Sequence, residues 1–141
     1  MLDPVQECIC DTQQRIYEYA ARMKYDMPRF SDAYLTSDFC KRAMDAPYSR
    51  FQFADEEECF DFIAPEIGEI QYAEELHFDP DVAGWIGYTY RYLAFKSGLD
   101  SRTLNRKIPF SVMCRSYPGL HTIDEEAAAE IMMEDGSLPS S

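Results

Sequence analysis

The stretch from Asp79 to Gly98, DPDVAGWIGYTYRYLAFKSG, constrains the fold most because it contains signals for both ends of a helix. Asp79 can cap the free N–H groups of a first turn, and Pro80 suits the first helical position, where its missing donor costs nothing. Gly98 supplies the left-handed residue that ends such a helix. At about 100° per residue, the whole circumference is apolar or aromatic except for a narrow strip of Gly84, Gly87 and Arg91. A helix of this kind is normally buried, so we predict an all-α fold wrapped around a central helix over 79–98.

Caps and prolines elsewhere predict about six helices in a single compact domain over residues 1–136, with a flexible tail at 137–141. Before the central helix we expect a helix from Asp3 to about Lys24, a helix over Ser31–Ala46 with a break at Thr36–Asp38, and an extended loop at Ser49–Phe53. A helix capped by Asp55 and a turn or two of helix at Glu69–Leu76 follow. After the central helix we expect a short helix to about Lys107, a helix that begins at Pro109 and ends at Pro118, and a last helix with a capping box at Thr122 and Glu125.

The formal net charge is −13 and is unevenly distributed. Residues 1–78 carry 17 acids and 7 bases, residues 79–123 carry 3 acids and 6 bases, and residues 124–141 carry 6 acids and no base. Binding to DNA or RNA depends on Lys and Arg side chains that neutralise phosphates, and docking on anionic membranes needs basic segments. The balance therefore argues against direct nucleic-acid or membrane binding and favours a protein partner with a basic surface.

The cysteines and the hydropathy pattern suggest a compartment. Five cysteines, an odd number, occur without a recognisable secretory signal at the N-terminus. No apolar stretch approaches the roughly 18 residues that a membrane span needs. We therefore expect a protein of the reducing cytoplasm, whose thiols act mostly as small hydrophobic groups.

The densest charge feature is a run of nine acids without a single Lys or Arg, which we call the acidic segment. Its members are Asp55, Glu56, Glu57, Glu58, Asp61, Glu66, Glu69, Glu74 and Glu75. It can be a docking face for a basic partner or a mimic of phosphate charge. The alternative is a solvated helix face, favoured at its start by the helix dipole. Like charges at this density cost stability, which is a point in favour of a function.

A second candidate site is a groove beside the aromatic helix, formed by Tyr88, Arg91, Tyr92 and His121. Tyr and Arg are frequent in binding hot spots, although such a row is more often core with its hydroxyls reaching solvent or a partner.

No motif in the chain specifies a metal, a cofactor or a catalytic group. Glu74 and His77 have the spacing seen in helical di-iron proteins, but those proteins need the motif twice, so we predict no metal. The chain has no Gly-rich phosphate loop and no dinucleotide fingerprint, so we predict no cofactor. Cys114 precedes His121 by seven residues, but a buried structural thiol explains it better, so we predict no catalytic residue.

Three segments carry a resemblance: AGWIGYTYRYLAFKSG at 83–98, SYPGLHTIDEEAA at 116–128 and FSDAYLTSDFCKRAMD at 30–45. Together they resemble a group of small uncharacterised bacterial proteins with a Trp-Gly-aromatic helix and a Tyr-Pro-x-Leu-His turn. The matching positions are Trp85, Gly87, Tyr117, Leu120 and His121. Members are often encoded in short operons that look like toxin–antitoxin or defence modules, so the resemblance implies an accessory or neutralising role. It supplies no catalytic residues, and the acidic segment lies outside its pattern.

Three functions fit these observations. The first is a non-enzymatic, antitoxin-like protein that binds and neutralises or regulates a protein partner. The second is an inhibitor from a phage or mobile element that mimics nucleic-acid charge to block a defence protein. The third is a small enzyme with a site built from Tyr88, Arg91 and His121. We expect the first.

Overall fold

The computed structural model describes residues 2–68 and 78–133, and this part of the chain is all-helical, as predicted. The α-helices are α1 (Pro4–Arg22), α2 (Met27–Leu35), α3 (Glu56–Ile67), α4 (Pro80–Ser97), α5 (Ser101–Lys107), α6 (Phe110–Leu120) and α7 (Glu125–Met132). A π-helix at Cys40–Met44 and a 3₁₀ helix at Arg50–Phe53 lie between α2 and α3. The predicted helix at 69–76 and the predicted tail at 137–141 lie outside the described residues.

Aspartate caps begin most of these helices. In six of the seven α-helices the residue before the first turn is an Asp whose carboxylate accepts a backbone N–H from that turn: Asp3, Asp26, Asp55, Asp79, Asp100 and Asp124. Each cap satisfies one of the donors that a helix start leaves without a partner. Part of the acidic composition therefore has a local structural role.

The boundaries of α4 agree with those expected from its sequence. Asp79 accepts a hydrogen bond from the Asp81 N–H at 2.8 Å, and Pro80 occupies the first turn. Gly98 ends the helix with φ 76° and ψ 5°, a left-handed conformation that favours glycine.

Four expectations about local structure were wrong. The second helix begins at Met27 behind its Asp26 cap, with Pro28 in its first turn, and not at Ser31. The expected extended loop at 49–53 is a 3₁₀ helix, because Ser49 and Gln52 form a reciprocal capping box. Helix α6 continues through Pro118 to Leu120. The last helix is capped by Asp124, two residues after the expected Thr122.

Helices α1 and α4 make the most extensive helix–helix contact in the described chain. The contact is close because α4 presents glycines to α1. A Cβ atom placed on Gly84 would lie 2.7 Å from the side chain of Glu18, and one on Gly87 would lie 2.7 Å from the ring of Tyr17 and 2.8 Å from the carbonyl oxygen of Gln13. The narrow non-apolar strip of α4 is therefore its contact face with α1.

Helix α4 also contacts α5, α6 and α7, whereas α3 packs on α1 and α2. Buried residues of all seven of these α-helices form one hydrophobic core. Within it the rings of Phe30 and Phe60 stack with their centroids 5.8 Å apart. Within residues 2–68 and 78–133, no helix is both long enough and apolar enough to cross a membrane.

Candidate functional site

Arg91 lies in the protein core and not in a surface groove. Its side chain is 1% exposed, and the guanidinium donates to the Gln13 side-chain oxygen at 3.0 and 3.2 Å, to Asp45 at 2.8 Å and to the Ser101 hydroxyl at 2.7 Å. The Met44 carbonyl accepts a further bond at 3.3 Å. These contacts join α1, α4, α5 and the residues at the end of the π-helix. Such a fully bonded buried guanidinium fixes the helices relative to one another.

The Cys40 thiol and the Asp45 carboxylate belong to the same polar network as Arg91. Burial raises the pKa of the Cys40 thiol to about 11, although the Arg91 guanidinium beside it acts in the opposite direction. Asp45, which is 13% exposed, also accepts from the Ser101 N–H and hydroxyl. No buried side-chain nitrogen or oxygen of the described residues lacks a hydrogen-bond partner. The structure therefore does not bring Arg91 together with Tyr88 and His121, because Arg91 is directed towards this network.

Tyr88 and His121 both line a cleft to which α1, α4, α6 and α7 contribute residues. We call it the acidic–aromatic cleft; it has a volume of about 270 Å³ and is lined by Gln14, Glu18, Asp81, Trp85, Tyr88, Tyr117, His121 and Glu125. Tyr92, the remaining member of the predicted groove, is buried and does not line it. The cleft thus contains two of the four residues predicted for a groove.

The aromatic side chains of the cleft hold one another in place. The rings of Trp85 and Tyr117 meet nearly at right angles, at 78° with centroids 5.5 Å apart. Tyr117 stacks on His121 with centroids 4.1 Å apart, and the His121 Nδ1 lies 2.6 Å from the Tyr117 carbonyl oxygen. A carbonyl oxygen only accepts, so Nδ1 carries a proton. Burial raises the pKa of the Tyr88 phenol above its usual range, so this ring stays neutral.

Three carboxylates from three helices surround these rings. Glu18 lies on α1, Asp81 in the first turn of α4, and Glu125 in the first turn of α7. No Lys or Arg lines the cleft, and within residues 2–68 and 78–133 none of the three carboxylates forms an ion pair. Glu18 accepts only a long hydrogen bond, 3.4 Å, from the Gln14 side chain. The cleft therefore has a negative potential that the described residues leave unneutralised.

Sequence reasoning missed the carboxylates of the cleft. Asp81 and Glu125 carry the ordinary signal of acids in a first helical turn, and Glu18 lies on the helix that packs against Gly84. Trp85 and Tyr117 are both half-buried, and Trp85 packs against the core. The spacing of Tyr117 and His121, four residues apart, was the one local signal available.

Most of the described members of the acidic segment are bonded within the protein. Six of its nine acids lie in the described residues; Glu69, Glu74 and Glu75 lie outside them. Four of the six have partners: Asp55 caps α3, Glu56 lies 3.5 Å from Arg15, Glu58 lies 3.8 Å from Arg50, and Glu66 accepts from the N–H groups of Asp38 and Phe39. In the described part of the chain, Glu57 and Asp61 are exposed without such a partner. Helix capping and local ion pairs thus account for much of this charge.

Phe62 lies on an exposed face of α3. Helical spacing predicts that Phe62 points inwards with Cys59 and Phe60, but its side chain is 50% exposed, so this prediction is wrong. Its ring packs on Phe51 at a centroid distance of 4.9 Å, and the Arg50 guanidinium lies 5.9 Å from its centre. The 3₁₀ helix, which sequence reasoning treated as a loop, supplies both of these neighbours.

All five cysteines are free thiols, with Cys8 exposed, Cys114 half-buried, and Cys10, Cys40 and Cys59 buried.

No protein-family model, no curated protein and no solved structure matches this chain. The resemblance to small bacterial proteins of toxin–antitoxin-like operons therefore stays a prediction.

Proposed function

We propose that this is a non-enzymatic, cytoplasmic protein that binds and neutralises or regulates a protein partner with a basic surface, as an antitoxin or accessory protein does. The observation that carries the proposal is the acidic–aromatic cleft, in which three carboxylates surround Trp85, Tyr88 and Tyr117 without a cation. Aromatic side chains are enriched at the centres of protein interfaces, and complementary charge selects partners there.

The overall charge of the chain supports the same partner. A net charge of −13 attracts a basic surface over distance and repels phosphate backbones, so the proposed function involves no direct contact with nucleic acid. Helix α4 supplies three of the cleft residues, Asp81, Trp85 and Tyr88. In this proposal it is the central helix that holds the binding surface in place.

Affinity purification from the native host tests this function when wild type is compared with two charge-matched variants. The first combines Glu18→Gln with Glu125→Gln in the cleft. The second combines Glu57→Gln with Asp61→Asn on α3 and removes the same charge from exposed positions outside the cleft. We expect wild type and the α3 variant to retain one basic protein in stoichiometric amount, and the cleft variant and high salt to release it.

Two results would contradict the proposal. One is that no stoichiometric protein is retained at low salt. The other is equal retention of a partner by the wild type and by the cleft variant, with circular dichroism showing that both variants are folded. Loss of the partner from the α3 variant alone would transfer the site to the acidic segment.

A further inference from the structure

We infer that the acidic–aromatic cleft binds one arginine side chain of the partner, with the guanidinium against the rings of Trp85 and Tyr117 and its N–H groups donating to the surrounding carboxylates. The inference rests on the proposed function and specifies the group that the cleft recognises. Four properties of the cleft lead to it: its volume, its charge, the arrangement of its rings and the directions from which its acceptors come.

The volume fits a side-chain head group. Sites for drug-sized ligands and cofactors enclose about 300–1,000 Å³. The acidic–aromatic cleft has a volume of about 270 Å³ and is open to solvent, and its lining residues Asp81, His121 and Glu125 are exposed. A guanidinium and the end of its aliphatic chain fit within a space of this size, and the rest of an arginine-bearing segment remains outside.

The charge and the rings select a cation. Glu18, Asp81 and Glu125 form no ion pair in the described part of the chain, so a bound cation gains their attraction without displacing a protein cation. The faces of Trp and Tyr rings also attract cations, and Trp does so most strongly. Stacking on His121 holds the Tyr117 ring, so it needs little reorganisation on binding. Anions are repelled by the same three carboxylates.

The placement of the acceptors favours guanidinium over ammonium. The three carboxylates belong to α1, α4 and α7 and therefore approach the cleft from different sides. A guanidinium is planar, stacks on aromatic faces and directs five N–H donors around its edge, so it can contact a ring and several carboxylates at once. An ammonium is a compact, strongly hydrated charge that loses more hydration on entering a cleft of aromatic rings.

The cleft contains its own reporter, because Trp85 is the only tryptophan in the chain. We would titrate the full-length protein with N-acetyl-arginine amide, N-acetyl-lysine amide and N-acetyl-citrulline amide, following Trp85 fluorescence and its indole N–H signal by NMR. Citrulline has nearly the shape of arginine but no charge. We expect a saturable, salt-sensitive change with the arginine probe, weaker binding of the lysine probe and no saturation with citrulline.

Variants locate the binding. Glu18→Gln with Glu125→Gln should weaken binding of the arginine probe about tenfold or more, as expected from the loss of two charge-assisted hydrogen bonds. The α3 variant, Glu57→Gln with Asp61→Asn, should bind like wild type. Should the double cleft variant fail to fold, Glu125→Gln alone serves, because Glu125 is exposed.

The inference is overturned by equal responses to arginine and citrulline, by equal affinity for arginine and lysine, or by unchanged binding in the folded cleft variant. These failures are distinguishable from failure of the proposed function. A partner that is retained through the cleft while the arginine probe does not bind refutes the guanidinium assignment alone. Binding of the probe without any stoichiometric partner in the host refutes the proposed function alone.

Discussion

Replacing Arg91 by Met tests the structural role assigned to the buried guanidinium. Methionine keeps a flexible, unbranched chain, about two atoms shorter than that of arginine, and removes the charge and every donor. The substitution leaves the Asp45 carboxylate, 13% exposed, with only Ser101 as hydrogen-bond donor, and it leaves the Gln13 side-chain oxygen with only the Tyr34 hydroxyl. The surface is unchanged, since Arg91 is 1% exposed.

The expected loss is large because one partner of a buried ion pair is removed. Such a deletion costs about 3–5 kcal/mol, since the remaining charge stays buried without compensation. For a chain of this size, each kcal/mol lowers the melting temperature by about 2–4 °C, so we expect a fall of about 6–20 °C. Adding Asp45→Asn to Arg91→Met removes the unpaired charge and should restore about 1–2 kcal/mol, a coupling typical of residues in one network.

Urea unfolding of the wild type, the two single variants and the double variant measures this coupling as a thermodynamic cycle. Arg91→Lys is an informative further variant, because one ammonium cannot reach acceptors on three chain segments, so it should recover little of the loss. The reasoning is refuted if Arg91→Met costs less than about 1 kcal/mol, or if its cost is the same with and without Asp45→Asn.

Three further predictions concern helix packing and the thiols. Gly87→Ala should destabilise the protein by about 1–3 kcal/mol, because the new Cβ would meet a ring and a backbone carbonyl. Gly84→Ala should cost less, because its Cβ would meet the flexible side chain of Glu18. Equal losses of unfolding free energy in urea would contradict this prediction. A maleimide at pH 7 should label the exposed Cys8 first and leave Cys40 unmodified until the protein unfolds, and mass spectrometry of digested protein checks the order. Burial raises the pKa of Cys40 from 9.0 to about 11 and so favours the neutral thiol in the folded state; its stabilising effect is complete below pH 9 and is lost as the pH rises through 11. The unfolding free energy should therefore fall less steeply between pH 8 and 10.5 in Cys40→Ala than in wild type. Parallel curves of unfolding free energy against pH for the two proteins would refute this prediction.

The part of the fold that could be predicted from sequence is the part determined by neighbouring residues. The start and end of α4 followed from Asp79, Pro80 and Gly98, because capping involves residues within one turn. Pro118 misled for the same reason: proline normally breaks a helix, yet α6 continues past it to Leu120. The rule that proline ends a helix considers only neighbouring residues. It therefore gives no information about tertiary packing, which can compensate for the backbone hydrogen bond that proline removes.

The candidate site could not be derived from local pattern because its residues are distant in sequence. Arg91 reads as a surface cation on its own helix, and its burial depends on Gln13 and Asp45, which are 78 and 46 residues away. The cleft likewise brings together Glu18 and Glu125 from near opposite ends of the chain. Only the pairing of helices decides which charges meet.

The close contact between α1 and α4 has a consequence for how fast the chain folds. About 60 residues separate the two helices in sequence, and closing a loop of that length costs about 4 kcal/mol of chain entropy. This cost is met before most contacts of α4 can form, so the α1–α4 crossing should belong to the rate-limiting step of folding. Gly87 lies at that crossing, against the Gln13 carbonyl. A side chain there should slow refolding, whereas a change in the first turn of α7, such as Glu125→Gln, should alter mainly the rate of unfolding.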